Sequence, residues 1–365
     1  MIRLATVFSG IGAIEQALKK NNENFNIVFA CDNGEREITI SNEEIEELNL
    51  LNNTNRNKVV KELYEATGKT NYVKESYFAN YHISEENWYE DIRFIDGNEY
   101  NGQVDLFVGG SPCQSFSVIG KRKGLEDARG TLFYEYARLV KEIQPKVFIY
   151  ENVVGMLNHD KGKTWEIIQE IFMSLGYDIH WSILNSKDYG IPQNRRRVFV
   201  VGFKTKKNFN FPEPIELNTT TFNYLEDAPI PAKHYLGRKG FEFVTGEKNK
   251  NRARVNREII QTQKANQQFN WNGDFIFENV QTFANNSAIM NRAYIGEYNG
   301  QMGAIRQLTN RECLRLMGFD DSFKIVVDST NAYRQAGNSI VVNVLQNIIN
   351  SIKAVEDINY EKENS

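Results

Sequence analysis

The chain opens with Ile2-Arg-Leu-Ala-Thr-Val-Phe-Ser-Gly-Ile-Gly12, an apolar run that ends in a glycine turn. The run predicts a buried strand, and apolar residues then recur at helical spacing. A second apolar run, Asn26–Cys31, ends at Asp32. Strand, glycine turn, helix, strand and terminal acid together predict the opening of a nucleotide-type α/β domain.

The glycine turn also indicates the kind of ligand. In such folds the glycines let a ligand approach the backbone, and an acid about 20 residues further on accepts hydrogen bonds from ribose hydroxyls. Gly10, Gly12 and Asp32 match this spacing. Ala13 follows Gly12, so the three-glycine dinucleotide pattern is incomplete. A nucleoside cofactor without phosphates therefore fits better than NAD.

Strands and helices alternate along much of the remaining chain. Further strands are predicted at Val104–Val108, Lys146–Tyr150 and Val198–Phe203, with helices between them. This alternation predicts an α/β fold with a doubly wound, mostly parallel sheet. Residues 35–80 are rich in Glu, Asn and Lys and predict a helical insertion on the surface. From about residue 205 to 330 the periodicity fades, which favours a second, smaller and irregular domain.

Composition excludes several classes of protein. With 41% hydrophobic and 25% charged residues, wholesale disorder is excluded. No apolar run approaches the roughly 20 residues that span a bilayer, and strand-like sequence from Ile2 leaves no room for a signal peptide. Cys31, Cys113 and Cys313 match neither a disulfide scaffold nor zinc-ligand spacing. We therefore expect a cytoplasmic protein without a metal.

Charge is distributed unevenly. The net charge is −4, but the segment from Lys233 to Arg257 holds eight basic and two acidic residues, so it carries +6 and the remainder −10. A basic segment on an acidic body is a candidate phosphate-binding face. A solvated loop is the alternative.

The Val104–Val108 strand ends at Gly-Gly-Ser-Pro-Cys113, which presents a thiol at the edge of the sheet. A free cysteine is by itself most often a small buried filler. Glu151 follows the next predicted strand, and the carboxyl ends of parallel strands share one edge. A thiol and a carboxylate there can act as nucleophile and proton donor. A helix-capping or ion-pairing role for Glu151 is the alternative.

Seven motifs in chain order resemble those of bacterial DNA (cytosine-5)-methyltransferases of the restriction-modification type. They are Phe8-Ser-Gly-Ile-Gly12, Asp32, Asp91-Ile92, Gly110-Ser-Pro-Cys-Gln114, Glu151-Asn-Val153, Gln193-x-Arg195-x-Arg197 and Gly337-Asn-Ser339. The resemblance covers nearly the whole chain, and the combination of motifs is highly specific. The chain departs from the family at Ala13, at Ser111 and in the 59-residue spacing between Asp32 and Asp91.

The resemblance implies the Rossmann-like fold of class I S-adenosylmethionine-dependent methyltransferases and a covalent mechanism. Carbon 5 of cytosine is a poor nucleophile, so by resemblance Cys113 adds to carbon 6 and converts the ring into an enamine. Glu151 is then the proton donor at N3. Arg197 binds the O2 oxygen, and Arg195 supports the pocket.

The resemblance also implies the partners. S-adenosylmethionine supplies the methyl group and becomes S-adenosylhomocysteine; its predicted ligands are Phe8, Ser9, Gly10, Ile11, Gly12, Asp32, Asp91, Ile92, Pro112, Asn338 and Ser339. Ribose is expected on Asp32 and adenine near Asp91. The base must be flipped out of the duplex, at a cost of roughly a few kcal/mol. The residues predicted to contact the substrate or DNA are Gln114, Ser117, Lys121, Arg122, Lys123 and Asn152.

On this interpretation residues 1–204 and 331–365 form the catalytic, cofactor-binding domain, and 205–330 form the hinge and the target-recognition domain, which reads base edges in the major groove. The expected partners are double-stranded DNA and a cognate restriction endonuclease; we expect a nucleoid-associated monomer and no membrane. Two alternatives share these motifs: a tRNA cytosine-5 methyltransferase, and a non-catalytic DNA-binding protein. The long variable region after Lys204 favours DNA, and intact Cys113, Glu151 and Arg197 favour catalysis.

Overall fold

The structure, a computed structural model, describes residues 1–112, 132–227, 229–266 and 271–358. The chain divides into two compact units. The first comprises Met1–Leu184, Arg196–Glu213 and Val344–Ser365, and the second Asn185–Arg195 and Pro214–Asn343. The boundaries expected from sequence lie elsewhere, since residues 185–195 and 331–343 group with the second unit. The C-terminal segment from Val344 returns to the first unit, as the sequence predicts.

The described residues contain thirteen strands. They are β1 (Ile2–Val7), β2 (Phe25–Cys31), β3 (Trp88–Tyr89), β4 (Leu106–Gly109), β5 (Val147–Val153), β6 (Asp178–Asn185), β7 (Gln193–Asn194), β8 (Arg196–Phe203), β9 (Ala253–Val255), β10 (Ile260–Gln261), β11 (Gly273–Asn279), β12 (Gly296–Tyr298) and β13 (Gln301–Gln307). Apolar runs of the sequence form the long strands of the first unit. β5 is longer than predicted and includes Glu151, because its last residues pair with β8.

The same residues contain twelve α-helices. They are α1 (Ala13–Lys20), α2 (Asn42–Asn49), α3 (Asn53–Glu65), α4 (Tyr72–Asn80), α5 (Leu132–Ile143), α6 (Lys163–Ser174), α7 (Arg238–Thr245), α8 (Val280–Phe283), α9 (Ser287–Arg292), α10 (Asn310–Arg315), α11 (Ser329–Asn338) and α12 (Val342–Lys353). Capping boxes begin α2 and α10, where Ser41 and Thr309 pair with a glutamate three residues later. Within the described ranges no helix is long and apolar enough to cross a membrane.

The central sheet of the first unit has the order β3-β2-β1-β4-β5-β8-β6. All pairs from β3 to β5 are parallel, and β8 is antiparallel to β5. This confirms the predicted mostly parallel α/β sheet. The strand order reverses between β1 and β4, and in such sheets ligands bind beyond the carboxyl ends of the strands at that switch point. The glycine turn after β1 and the Cys113 motif after β4 both follow strands at this point.

The main core lies between this sheet and its helices. Phe107 and Phe148 of the sheet pack with Phe133 and Tyr136 of α5 and Phe172 of α6, all fully buried. Each such side chain contributes roughly 1.5–3 kcal/mol relative to exposure. The apolar stripes that predicted these helices are therefore the faces they bury.

The insertion (residues 35–80) contains α2, α3 and α4, as predicted. The insertion is packed against the rest of the first unit, because Leu48, Val60 and Tyr64 form a small buried core with Phe94.

The second unit contains a four-stranded sheet of order β12-β13-β11-β9, together with the parallel pair β7 and β10. Leu236, Phe241, Phe275 and Ile305 form a core on it. The sequence predicted only an irregular region here. Several of these strands have two or three residues, which is too short for an apolar–polar alternation to be visible.

Candidate active site

The glycine turn after β1 has a constrained backbone. Phe8, Gly10 and Gly12 have φ of 52°, 53° and 78°, in the left-handed region. For a non-glycine residue such as Phe8 this costs of order 1–3 kcal/mol, and such strain concentrates at functional sites. A Cβ on Gly12 would lie 2.2 Å from the ring of Tyr81. Gly12 is therefore required by close packing as well as by its backbone conformation.

The N–H groups of this turn are used inside the fold. Ser9 donates to the carbonyl of Cys31 at 3.1 Å. Gly10 donates to the carboxylate of Asp32 at 2.9 Å, and Gly12 donates to the carbonyl of Ser9 at 3.1 Å. A phosphate site at such a turn needs these N–H groups for the ligand. The turn therefore suits a nucleoside cofactor that has no phosphates.

Asp32 lies directly after β2 and is half-buried. One carboxylate oxygen accepts from Gly34 at 2.8 Å and the other from Gly10 at 2.9 Å. Desolvation raises the pKa of the carboxyl, and the two N–H groups partly oppose that shift. Each carboxylate oxygen can accept a second hydrogen bond. The site therefore fits ribose hydroxyls.

Asp91 caps the short 3-10 helix Ile92–Phe94 and is nearly buried. It forms an ion pair with Arg93 at 2.6 Å and accepts from the hydroxyl of Tyr64 at 2.9 Å. Ile92 lies in the main core.

Gly110 contacts Glu151 closely. A Cβ on Gly110 would lie 2.7 Å from the carbonyl oxygen of Glu151 and 3.0 Å from its Oε2. Only glycine fits this position without a shift of the neighbouring strand. The backbone three residues before Cys113 is thereby held against the carboxylate that the sequence predicts as its partner.

The next residues are anchored on β5 as well. The side-chain amide of Asn152 donates to the carbonyl of Ser111 and to the hydroxyl of Tyr150, both at 2.9 Å. Ser111 and Tyr150 hydroxyls lie 2.7 Å apart. Asn152 is 3% exposed, whereas a substrate contact was expected for it. In this structure its amide holds the segment that leads to the Cys113 motif, and Pro112 is exposed.

The predicted nucleophile and its loop lie outside the described residues, so they stay predictions. These are Cys113, Gln114, Ser117, Lys121, Arg122 and Lys123. The other two cysteines are described and buried. Burial raises the pKa of both thiols well above the ordinary value, and acidic neighbours raise that of Cys31 further. Neither Cys31 nor Cys313 is suited to attack as a thiolate.

Glu151 and Arg197 form an ion pair, with Nε and Oε1 3.1 Å apart. They come from β5 and β8, where Val153 lies opposite Arg197 in the antiparallel ladder. Glu151 is two residues before Val153 and so lies on the same face as Arg197. Their side chains are 14% and 17% exposed. A guanidinium has five N–H donors, so Arg197 retains donors for a ligand.

Arg195 has a different environment. It is 4% exposed and lies in the second unit. Its guanidinium donates to the carbonyls of Gln263 at 2.8 Å, Gly337 at 3.1 Å and Ser339 at 2.8 Å. The sequence predicts a catalytic role that supports the pocket. The contacts are those of a residue that fixes the backbone of the Gly337-Asn-Ser339 motif.

Gln193, the first residue of the Gln-x-Arg-x-Arg motif, joins the same cluster. Its amide donates to the carbonyl of Leu316 at 2.8 Å and accepts from the N–H of Gln263 at 2.9 Å. A Cβ on Gly337 would lie 2.3 Å from the carbonyl carbon of Lys264. Asn338 is exposed at the end of α11, and Ser339 is buried.

The basic segment lies on the surface of the second unit. Seven of its eight cationic residues are exposed: Lys233, Arg238, Lys239, Lys248, Lys250, Arg252 and Arg257; Arg254 is half-buried. Arg238 and Lys250 form ion pairs with Glu242 and Glu247 on the exposed surface, where such pairs contribute little to stability. Across the described ranges no group of three or more His, Cys, Asp or Glu residues is placed to hold a metal ion.

Sequence reasoning missed several residues that hold the site. Tyr150 and Gln263 belong to no motif, Ser111 lies in the Cys113 motif but was given no role, and Tyr64 and Tyr81 lie in or beside the insertion. Their partners are far away in the sequence, so no spacing pattern indicates them. The signal that was available is the glycine at position 110, which predicted a tight turn but did not predict which residue packs against it.

Comparison with solved structures shows the fold first. The crystal structure of the S. pombe Dnmt2 methyltransferase superposes with a TM-score of 0.66 at 18% identity, covering 97% of this chain and 99% of that one. At this identity the likeness concerns the fold, which is that of a class I methyltransferase.

Sequence comparison then gives the family. A model of the C-5 cytosine-specific DNA methylases matches residues 2–354, and the chain belongs to this family. It is 37% identical over 262 residues to the Type II methyltransferase M.HhaI of Haemophilus parahaemolyticus, covering 68% of this chain and 75% of that protein. It is 36% identical over 258 residues to M.HpaII of Haemophilus parainfluenzae, covering 67% and 70%. The predicted family and DNA (cytosine-5-)-methyltransferase activity are thereby confirmed.

Proposed function

We propose that this enzyme transfers the methyl group of S-adenosylmethionine to carbon 5 of a flipped-out cytosine in duplex DNA, through covalent addition of Cys113 to carbon 6. The observation that supports this most directly is the accessible Glu151–Arg197 pair, packed against Gly110 three residues before Cys113. It offers a proton donor and a hydrogen-bond donor beside the position expected for the thiol.

Each residue then has one task. The Cys113 thiolate forms a bond to carbon 6, and the electron pair of the carbon 5–carbon 6 double bond becomes available at carbon 5. Glu151 supplies a proton at N3, so that negative charge does not accumulate on the ring. The remaining donors of Arg197 bind the O2 oxygen and orient the base. After methyl transfer, the carbon 5 proton is lost to water, the N3 proton returns to the Glu151 carboxylate, and the restored double bond expels the Cys113 thiolate.

The cofactor, when bound, supplies an electrophilic methyl group. Asp32 would hold its ribose hydroxyls, because the residue is only half-buried and each carboxylate oxygen, which accepts one backbone N–H, can accept a second hydrogen bond. The Phe8–Gly12 turn would lie along its methionine part. Asp91, Ile92 and Pro112 remain the residues proposed near adenine, and Asn338 and Ser339 those proposed from the second unit.

The second unit is proposed to recognise the DNA. Its exposed basic segment supports this, since Lys and Arg contacts to phosphates supply most of the sequence-independent affinity of DNA-binding proteins. The first unit is proposed to contain the residues that carry out methyl transfer. A cognate restriction endonuclease, acting on the same sequence, is proposed from the Type II relatives.

The test is methyl incorporation from labelled S-adenosylmethionine, with duplex DNA and tRNA as separate substrates. We expect incorporation into duplex DNA only, and bisulfite sequencing of DNA from expressing cells should show one sequence context. Cys113→Ala should abolish incorporation and the covalent complex while duplex binding persists. Unchanged incorporation by Cys113→Ala would refute the mechanism, and tRNA-only activity would refute the substrate.

A further inference from the structure

The insertion (residues 35–80) contacts three separate parts of the candidate cofactor site. The first contact is made by Tyr81, which directly follows the insertion and is the C-cap residue of its last helix, α4. The Tyr81 hydroxyl donates to the carbonyls of Ile11 at 3.1 Å and Gly12 at 2.7 Å. Its ring fills the space that a side chain on Gly12 would need. Tyr81 therefore holds the backbone of the glycine turn by direct contact.

The second contact is at the turn after β2. The side-chain amide of Asn71 donates to the carbonyl of Asp32 at 2.8 Å, and its oxygen caps α4 by accepting from the N–H of Lys74 at 3.0 Å. A Cβ on Gly34 would lie 2.3 Å from this amide oxygen. One side chain thus fixes both the start of α4 and the turn that carries Asp32.

The third contact is between Tyr64 of α3 and Asp91. The hydroxyl donates to Oδ2 at 2.9 Å, and Tyr64 is 1% exposed. The guanidinium of Arg36 lies over its ring, 4.9 Å from the centroid. Burial and the nearby carboxylate raise the pKa of Tyr64 well above its ordinary value, so the hydroxyl remains a donor. Tyr64 and Arg93 together fix the orientation of the Asp91 carboxylate.

We infer that the insertion is a structural part of the cofactor site, and that Tyr64, Asn71 and Tyr81 are positioning residues for S-adenosylmethionine. This rests on the proposed function, in which Asp32 and Asp91 contact the cofactor. Groups at the end of a sheet lose conformational freedom when they bind, and holding them beforehand lowers that loss. The alternative is that the insertion extends a DNA-binding surface. Its contacts with the glycine turn, the Asp32 turn and Asp91 favour the cofactor.

The test compares two single-atom deletions. Tyr64→Phe removes only the hydroxyl that holds Asp91. Tyr177→Phe is the matched control: it removes a buried hydroxyl that donates to the carbonyl of Pro145 at 2.7 Å, before the amino end of β5 and away from the cofactor site. Both variants lose one buried hydrogen bond. We expect Tyr64→Phe to raise the Kd and KM for S-adenosylmethionine by about fivefold to tenfold, with kcat and duplex affinity unchanged.

Tyr177→Phe should leave both cofactor constants at the wild-type values. Equal effects of the two variants on cofactor affinity would overturn the inference, because the loss would then reflect general destabilisation. So would an effect of Tyr64→Phe on duplex affinity alone, which would make the insertion a DNA-binding element. Wild-type protein that binds no S-adenosylmethionine by calorimetry would instead refute the proposed function, and the inference with it.

Discussion

Arg195 and Arg197 are two residues apart, but they lie in different units and have opposite environments. Arg195 is buried, and its guanidinium donates to three backbone carbonyls. Arg197 is partly exposed and pairs with the carboxylate of Glu151. A buried guanidinium bound to the backbone fixes the chain, whereas an accessible one that retains donors can bind a ligand. The same side chain in one motif thus has a structural role in one unit and a proposed chemical role in the other.

Two glutamates show the same contrast within the first unit. Glu151 is accessible and has a cationic partner. Glu15 of α1 is fully buried behind the glycine turn, accepts from Tyr77, and has one oxygen without a hydrogen-bond partner among the described residues. Burial raises the pKa of Glu15 to about 7. Glu151 at the edge of the sheet can therefore take part in chemistry, whereas the buried Glu15 affects the stability of the fold.

The largest effect is expected at Arg197. Arg197→Met removes the donors proposed for the base and breaks the ion pair with Glu151, so kcat for methyl transfer should fall by about 10²- to 10³-fold. The free energy of unfolding should fall less than in Arg195→Met, because both side chains of the Glu151–Arg197 pair are partly exposed. Arg196→Met, at the exposed neighbouring position, is the control and should retain activity. If Arg197→Met lost much stability but kept full activity, Arg197 would have the structural role that we assign to Arg195.

The opposite pattern is expected at Arg195. Arg195→Met leaves three buried carbonyls without their donor, and the free energy of unfolding should fall by about 3 kcal/mol. Urea unfolding measures this. Arg195→Lys keeps the charge but not the planar set of donors, so its loss should be intermediate. An unfolding curve for Arg195→Met that coincides with the wild-type curve would show that the contacts contribute nothing to folding.

The third effect concerns Glu15 and develops only as the pH rises and its carboxyl ionises. Its pKa is raised from 4.5 to about 7 in the folded state, so the folded state binds the proton more tightly. The associated stability is present below pH 4.5 and is lost as the pH rises through 7, a loss of roughly 3 kcal/mol. Glu15→Gln cannot ionise. Its advantage over wild type should therefore grow between pH 5 and pH 8.

Thermal unfolding across that range measures the difference. The exposed Glu47, replaced by Gln, provides the control, and its difference from wild type should stay constant. A constant difference for Glu15→Gln as well would mean that Glu15 is ionised in the folded protein throughout.

Sequence alone determined the class of fold and the family. Long apolar runs form strands and amphipathic stripes form helices because burial of apolar surface dominates folding, and that pattern is local. The strand, glycine turn and Asp32 were therefore predictable, as were the helices of the insertion. Seven spaced motifs identified the family because each consists of residues close together in the chain.

Only the tertiary structure decided which residues of these motifs meet a ligand and which hold the backbone. Arg195 and Arg197 are alike in sequence, and burial by segments more than 60 residues away separates their roles. The contacts of Tyr64 with Asp91 and of Asn71 with Asp32 likewise join distant residues. Such contacts depend on how the helices and strands pack together. A hydrogen bond between two distant elements produces no periodic pattern in the sequence, so the sequence alone does not predict it.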